Sequence, residues 1–451
     1  MAEPKRAAGP FDFIKAIASL RLTVTLFVLA FVLVFLGTLA QMDAGNWTVV
    51  KQYFRSALVW IPFQTLVRFG QVFLYFPKSF SVPGSFPFPG GWLIGGLLLA
   101  NLLAAHAKWI WIIVRNSNLS YALKNLFHAN QASALPVKGE TQLSAILLGI
   151  LSQLSKRSGI LILHAGVVVM MLGELFTGLF AIEGNMTIVA NGSSNFVEVH
   201  NAAELALVSP ADAQNENVVV VPASLLRKAG KGGKISHDDL PVDIEVVEYM
   251  LNSKLSKGPP SHDSNPATAG FGLETEAIEQ QEGAGVDTEQ KIDAPSAYVK
   301  LLPKNGGTPL GTYLVSLWLK DQPIEIDGKT YTLSLRPKRV YKPYTLHLKE
   351  FHHDVYLGTD KPKNFSSVIQ VVDPSRGENR EVNISMNAPL WYGGETFYQQ
   401  GFLEGDRGTI LQVVRNPSWL LPYVSCAMVA IGMLVHFSIN LIGFLMRRLA
   451  S

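Results

Sequence analysis

Residues 159–182 read GILILHAGVVVMMLGELFTGLFAI, and residues 183–190, EGNMTIVA, follow without a break. The first stretch carries one carboxylate and one imidazole. At about 1.5 Å per residue it is long enough to cross the roughly 30 Å of hydrocarbon in a bilayer. The second opens a long region in which short segments rich in Val, Ile, Thr and Tyr alternate with turn residues. A membrane helix therefore runs directly into water-facing β-structure, and that junction decides the fold.

Three further apolar runs flank it. LTVTLFVLAFVLVFLGTLA (22–40) has no charge, and GWLIGGLLLANLLAAHAKWIWIIV (91–114) contains His106 and Lys108. The last runs from Trp419 to Met446 within residues 417–446, and contains His436. Charged residues make up 16% of the chain and the mean hydropathy is +0.22, well below the charge of about 25% usual in soluble domains. The run 22–40 exceeds the apolar core of a cleaved signal, and LAQMDAG after it lacks a small-x-small site, so it reads as a retained anchor. Cations set the orientation. Lys5, Arg6, Lys15 and Arg21 precede the first span, Arg115, Lys124, Lys138, Lys156 and Arg157 lie between the second and third, and Arg447 and Arg448 follow the fourth. All fall on one side of a four-span chain, which places both termini inside.

The expected organisation is an integral membrane α-helical protein with four transmembrane helices and a large, mostly β, extracytoplasmic domain between helices 3 and 4. A cytoplasmic N-terminus (1–21) leads to the first span, and an external loop (41–90) follows it, with an interfacial helix over 53–80. The cytoplasmic loop (115–158) includes a second interfacial candidate at 143–154. The external domain occupies 183–416, and a short tail, 447–451, ends the chain. Strands every ten to fifteen residues suggest a sandwich or open barrel. The polar, Gly- and Pro-rich stretch 253–295 is predicted to be a disordered insertion.

Several chemistries are excluded. The single cysteine, Cys426, lies in an apolar run and reads as a packing residue, so no disulfide, zinc cluster or thiol redox pair can form within the chain. No P-loop, nucleophile elbow, H-E-x-x-H or dinucleotide fingerprint occurs, and a net charge of +3 without a basic patch gives no nucleic-acid footprint. The intramembrane histidines remain. His164, His106 and His436 lie about five, eight and ten residues from the inner ends of their spans, so all three sit roughly 8 to 15 Å below the inner surface. Ionisable groups in a bilayer are functional candidates, and imidazole suits haem iron. Small residues beside His164 (Ala165, Gly166, Gly173, Gly178) leave room for a flat macrocycle or for a neighbouring helix. Glu174 reads as a carboxylate near the helix end. His352 and His353, adjacent on a strand, point to opposite faces and cannot share one metal.

Four blocks, in order, resemble the ResB (CcsB) family of cytochrome c biogenesis proteins. They are SLRLTVTLFVLAFVLVFLGTLAQ (19–41), the H-x-G segment from His164 into the first strand, YTLHLKEFHHDVYLGTDKPKNFSSVIQVVD followed by NISMNAPLWYGGETFYQQGF, and VVRNPSWLLPYVSCAMVAIGMLVHF. The resemblance implies one half of a System II machinery. With a CcsA/ResC-type partner it would carry haem b across the bacterial inner membrane, for covalent attachment to an exported apocytochrome c kept reduced by a thiol-reducing protein. It implies His164 as an axial haem ligand, more weakly His436, and no catalytic site, while His106 is a candidate by its depth alone. The W-G-x-x-W-x-W-D segment of the CcsA half is absent, so the attachment site is expected on the partner. Two other readings stay open: a haem b electron-transfer subunit with His164 and His436 as permanent ligands, and a membrane scaffold with a non-catalytic β-domain.

Overall fold

A computed structural model describes residues 10–116, 146, 148–152, 154–212, 215–258, 265–283, 293–358 and 362–450. Most of the loop expected at 115–158 lies outside the described residues. The chain forms two compact units, one of residues 1–40, 48–180 and 417–451, the other of 41–47 and 181–416.

In the first unit four helices are long and apolar enough to cross a membrane: Leu20–Ala40, Gly91–Asn116, Ser158–Phe180 and Leu421–Leu449. They are the spans of a multi-pass membrane protein. Ser19 caps the first, its Oγ accepting the Leu22 N–H at 3.2 Å. Asn101, buried on the second helix, ties the first to it. Its Nδ2 donates to the Ser19 carbonyl at 3.2 Å, and its Oδ1 accepts from the Thr23 hydroxyl at 2.7 Å. The fourth helix starts at Leu421 with Pro422 in its first turn, where a missing N–H costs nothing, so Trp419 stands just outside it.

The third and fourth helices pack along a seam of small residues. Gly159, Gly166 and Gly173 recur every seven residues on one, and Ser418, Ser425 and Gly432 recur likewise into the other. A seven-residue repeat keeps one stripe facing its partner, and small residues let the backbones touch. A Cβ on Gly159 would come within 2.4 Å of the His436 backbone nitrogen, and one on Gly432 within 2.5 Å of that of Leu163. Two hydroxyls bond the seam: Ser425 Oγ donates to the Gly166 carbonyl at 2.8 Å, and Ser418 Oγ to that of Gly173 at 3.2 Å.

The connector between the first two spans differs from the expected helix over 53–80. Short helical turns, Asn46–Val49 and Val50–Phe54, come first, and the helix Phe63–Phe73 follows a strand, Leu58–Pro62, that pairs antiparallel with Ser85–Pro89. Alternation in LVWIP buries Val59 and Ile61 on one face, and this period of two wins over the helical reading there.

The second unit is built on antiparallel sheets. The larger one runs, edge to edge, through Glu378–Ser385, Pro362–Asp373, Lys329–Val355, Ser193–Pro210, Ile182–Val189, Gly408–Arg415, Glu395–Phe402 and Leu390–Tyr392. It curls, since Pro362–Asp373 and Glu378–Ser385 also pack against Glu395–Phe402 without pairing with it. The curl encloses one core, including Met186, Ile188, Leu346, Ile369, Phe397 and Leu411. A second core lies under a four-stranded sheet and includes Leu205, Ile244, Val299 and Leu333. The strand Lys329–Val355 serves both, its register slipping near Pro337 and again between Tyr341 and Leu346.

The expectation of disorder over 253–295 is corrected for the part described. Ser253–Lys257 pairs with Thr275–Glu279, and Tyr298 accepts the Ala277 N–H at 3.1 Å inside a small core with Met250 and Leu314. A stretch poor in apolar residues orders here because neighbouring strands supply most of the core it completes.

Candidate functional site

With one face of the third helix sealed against the fourth, His164 meets the second helix. It lies about 9 Å along its helix from Ser158, at the level of His106. His106 Nε2 and His164 Nδ1 are 2.7 Å apart, and the ring centroids 4.8 Å apart with planes inclined at 59°. Both rings are half-buried. A bond of this length requires one ring to donate and the other to accept, so at least one is a neutral imidazole.

That arrangement permits specific chemistry. When His164 Nδ1–H donates to His106, the Nε2 lone pair of His164 remains available for a Lewis acid, and His106 holds the ring's tautomer and orientation. Metal–imidazole bonds are about 2.0 Å long, so two axial nitrogens on one iron stand about 4 Å apart. At 2.7 Å the facing nitrogens of His106 and His164 cannot both bind one iron unless the rings part. The geometry fits a single ligand with an orienting neighbour. The glycines beside His164 that leave room for a macrocycle or a helix are used, at Gly166 and Gly173, by the fourth helix.

His436 stands elsewhere. Its ring bonds Asn440, one turn along the same helix, at 3.1 Å, and its backbone packs on Gly159. Glu174 is exposed on the third helix. Cys426 is exposed as well, and does not pack inside, because its neighbour Ser425 occupies the seam. On the β unit His352 and His353 do face opposite ways: exposed His352 lies 3.2 Å from Glu350, whereas His353 turns inward and bonds Asp406 at 2.9 Å. No group of three or more His, Cys, Asp or Glu placed to hold a metal ion occurs among the described residues.

The β unit also holds a buried charged network that sequence reading did not single out. Lys342 Nζ donates to Glu395 Oε1 at 2.6 Å, and the Tyr344 hydroxyl to Oε2 at 2.9 Å. Burial, with the Glu395 charge beside it, pushes the Tyr344 hydroxyl far above the ordinary tyrosine range. Nearby the Tyr392 hydroxyl donates to Asp373 Oδ2 at 2.8 Å, and burial together with that carboxylate raises it likewise. The Ser375 hydroxyl, then Tyr392, hold the Asp373 carboxyl below its usual value. The partners Lys342 and Glu395 are 53 residues apart in the chain, so only strand pairing unites them.

Comparison with known proteins places this region. Residues 326–410 match the ResB-like family. Over 119 residues the chain is 33% identical to Protein NrfI of Wolinella succinogenes, a match covering 26% of this chain and 12% of that protein.

Proposed function

We propose that this chain is a ResB-like cytochrome c biogenesis factor, from the match of residues 326–410 to the ResB-like family and the likeness to Protein NrfI. In this reading it works with a CcsA/ResC-type membrane partner to carry or present haem for covalent attachment to an exported apocytochrome c. The observation that supports it is the imidazole pair between the second and third spans, 2.7 Å from nitrogen to nitrogen. His164 is the axial ligand and His106 the positioning residue that keeps its Nε2 lone pair available. His436, bonded to Asn440, is a secondary candidate.

The cargo is haem b, held as substrate. The bond-forming step, addition of a reduced cysteine thiol across each vinyl group, belongs to the partner and the apoprotein, because this chain's only cysteine lies in its fourth span. Ionisable groups within spans are costly, so two histidines retained at one level between helices favour a ligand role over plain packing. In this reading the β unit lies on the outer side of a bacterial inner membrane, in keeping with the cation bias of the flanking loops. A permanent bis-histidine electron-transfer centre through His164 and His436 is less favoured, since the ring that meets His164 is that of His106.

The test is co-expression with a CcsA-type partner and a reporter apocytochrome, scoring holocytochrome and co-purified haem. His164→Ala is expected to lower both, with added imidazole restoring part of the yield. His106→Ala should keep a ligand but weaken haem retention by about 10- to 100-fold, the usual cost of losing an orienting partner. Unchanged haem content and holocytochrome in His164→Ala would remove the ligand role. A purified wild-type complex free of haem would favour the scaffold reading.

A further inference from the structure

The strand Lys329–Val355 ends in FHHDV (351–355), and its His353 is only 13% exposed at the side chain. The Nδ1 atom lies 2.9 Å from Asp406 Oδ1. An ionised carboxylate only accepts, so Nδ1 carries the proton, and in the neutral ring Nε2 presents a bare lone pair. That Nε2 is enclosed and has no hydrogen-bond partner among the described residues. Phenylalanines stand beside the imidazole. The Phe402 ring centroid is 4.2 Å from the imidazole and that of Phe351 is 6.4 Å away, while Phe365 meets Phe402 edge-on at 5.7 Å.

Two costs coincide here. A buried nitrogen left without a partner costs about 1–3 kcal/mol. Asp406, which orients the ring, is held at φ 55°, directly after Gly405 at φ 71°. A non-glycine residue in that left-handed region costs of order 1–3 kcal/mol, and such strain gathers at ligand sites. An unpartnered lone pair, a carboxylate fixing the tautomer and aromatic walls together describe a ligand for a metal carried in a flat apolar frame.

We propose that His353 is a second haem ligand, on the β unit, binding iron through Nε2 with Asp406 as its positioning residue and Phe351, Phe365 and Phe402 against the porphyrin. The proposal rests on the reading of haem as cargo, and gives that cargo a ligand separate from His164. One coordination bond forms from the Nε2 lone pair to iron, with no change of oxidation state. Haem access requires the Phe402 ring to swing aside. Gly401 precedes it where the sheet register slips, and the exposed turn Glu404–Asp406 follows. Past His353 the strand end exposes Val355, Tyr356 and Leu357, apolar surface suited to a macrocycle.

The experiment is hemin titration of the untagged full-length protein in nanodiscs, reading the Soret band and the number of equivalents bound. Wild type is expected to bind two, and His353→Ala and His164→Ala one each. His353→Gln, whose amide can still donate to Asp406, should lose the same equivalent as His353→Ala, which separates ligation from folding. Asp406→Asn should weaken that equivalent about 10- to 100-fold. Iron-free protoporphyrin should bind alike with and without the imidazole. Wild-type stoichiometry and an unshifted Soret band in both His353 variants would overturn the proposal. Loss of an equivalent in those variants but not in His164→Ala would sustain it and instead remove the membrane ligand.

Discussion

Between the membrane helices polar side chains meet without ion pairs at these contacts: Thr23 with Asn101, His106 with His164, and Ser425 with the Gly166 carbonyl. In the β unit they meet as charges: Lys342 with Glu395, Arg336 with Glu204, and Lys234 with Asp243. The contrast follows from the solvent. In hydrocarbon an ion has no water to reach and costs several kcal/mol, so helices are joined by hydroxyls, amides and small-residue contact. In a water-facing domain an ion pair can be buried at one end and hydrated at the other, and strands bring distant charges into register. Each unit holds a histidine that a second side chain orients, His164 by an imidazole and His353 by a carboxylate.

The largest effect should come from breaking the buried pair. The Lys342 and Glu395 side chains are only 9% and 7% exposed, so Glu395→Ala strands a buried ammonium and should cost about 3–5 kcal/mol. Thermal unfolding of the full protein, followed through its β-sheet circular dichroism, measures this. The double variant Lys342→Met/Glu395→Leu should recover most of the loss, and failure to do so would make the pair more than an electrostatic clasp. Next comes the seam. Gly432→Leu forces a side chain onto the Leu163 backbone and should cost roughly 1–3 kcal/mol of helix packing, read as lower thermal stability in detergent with the β-sheet signal unchanged.

The smallest effect is set by pH. The folded Asp373 carboxyl is depressed by Ser375 and Tyr392, so its contribution is fully present above the unfolded value near 3.9 and is lost as pH falls through the folded one. Acid should therefore destabilise the β unit over that range, and Asp373→Asn should flatten the stability profile there. A variant with the same acid slope as wild type would show that other carboxylates carry the effect.

Legibility followed the range of the interactions. The four spans and the β region were readable because each depends on local period and length: an uncharged run such as 22–40, or the alternation in EGNMTIVA. The shared level of His106 and His164 follows from counting residues along helices, whereas His436 lies beside Gly159, nearer the inner end. Which histidine meets His164 was not readable. Residue counting offers His436 as readily as His106, yet its backbone packs against Gly159 and its ring turns to Asn440. The heptad of Gly159, Gly166 and Gly173 was visible in the chain, but its match with Ser418, Ser425 and Gly432 shows only when the helices are set side by side. Asp406 carries no local signal at all, since its tie to His353 spans 53 residues.

From its sequence alone this protein is a four-span membrane chain with a β-rich domain between the third and fourth helices, because hydrophobic length and period act within a few turns or strand residues. Only the tertiary structure decides that His106 meets His164, that the glycines serve the fourth helix, and that His353 ends beside Asp406 in a box of phenylalanines. Those pairings are set by helix rotation and strand register, which depend on the packing of distant residues.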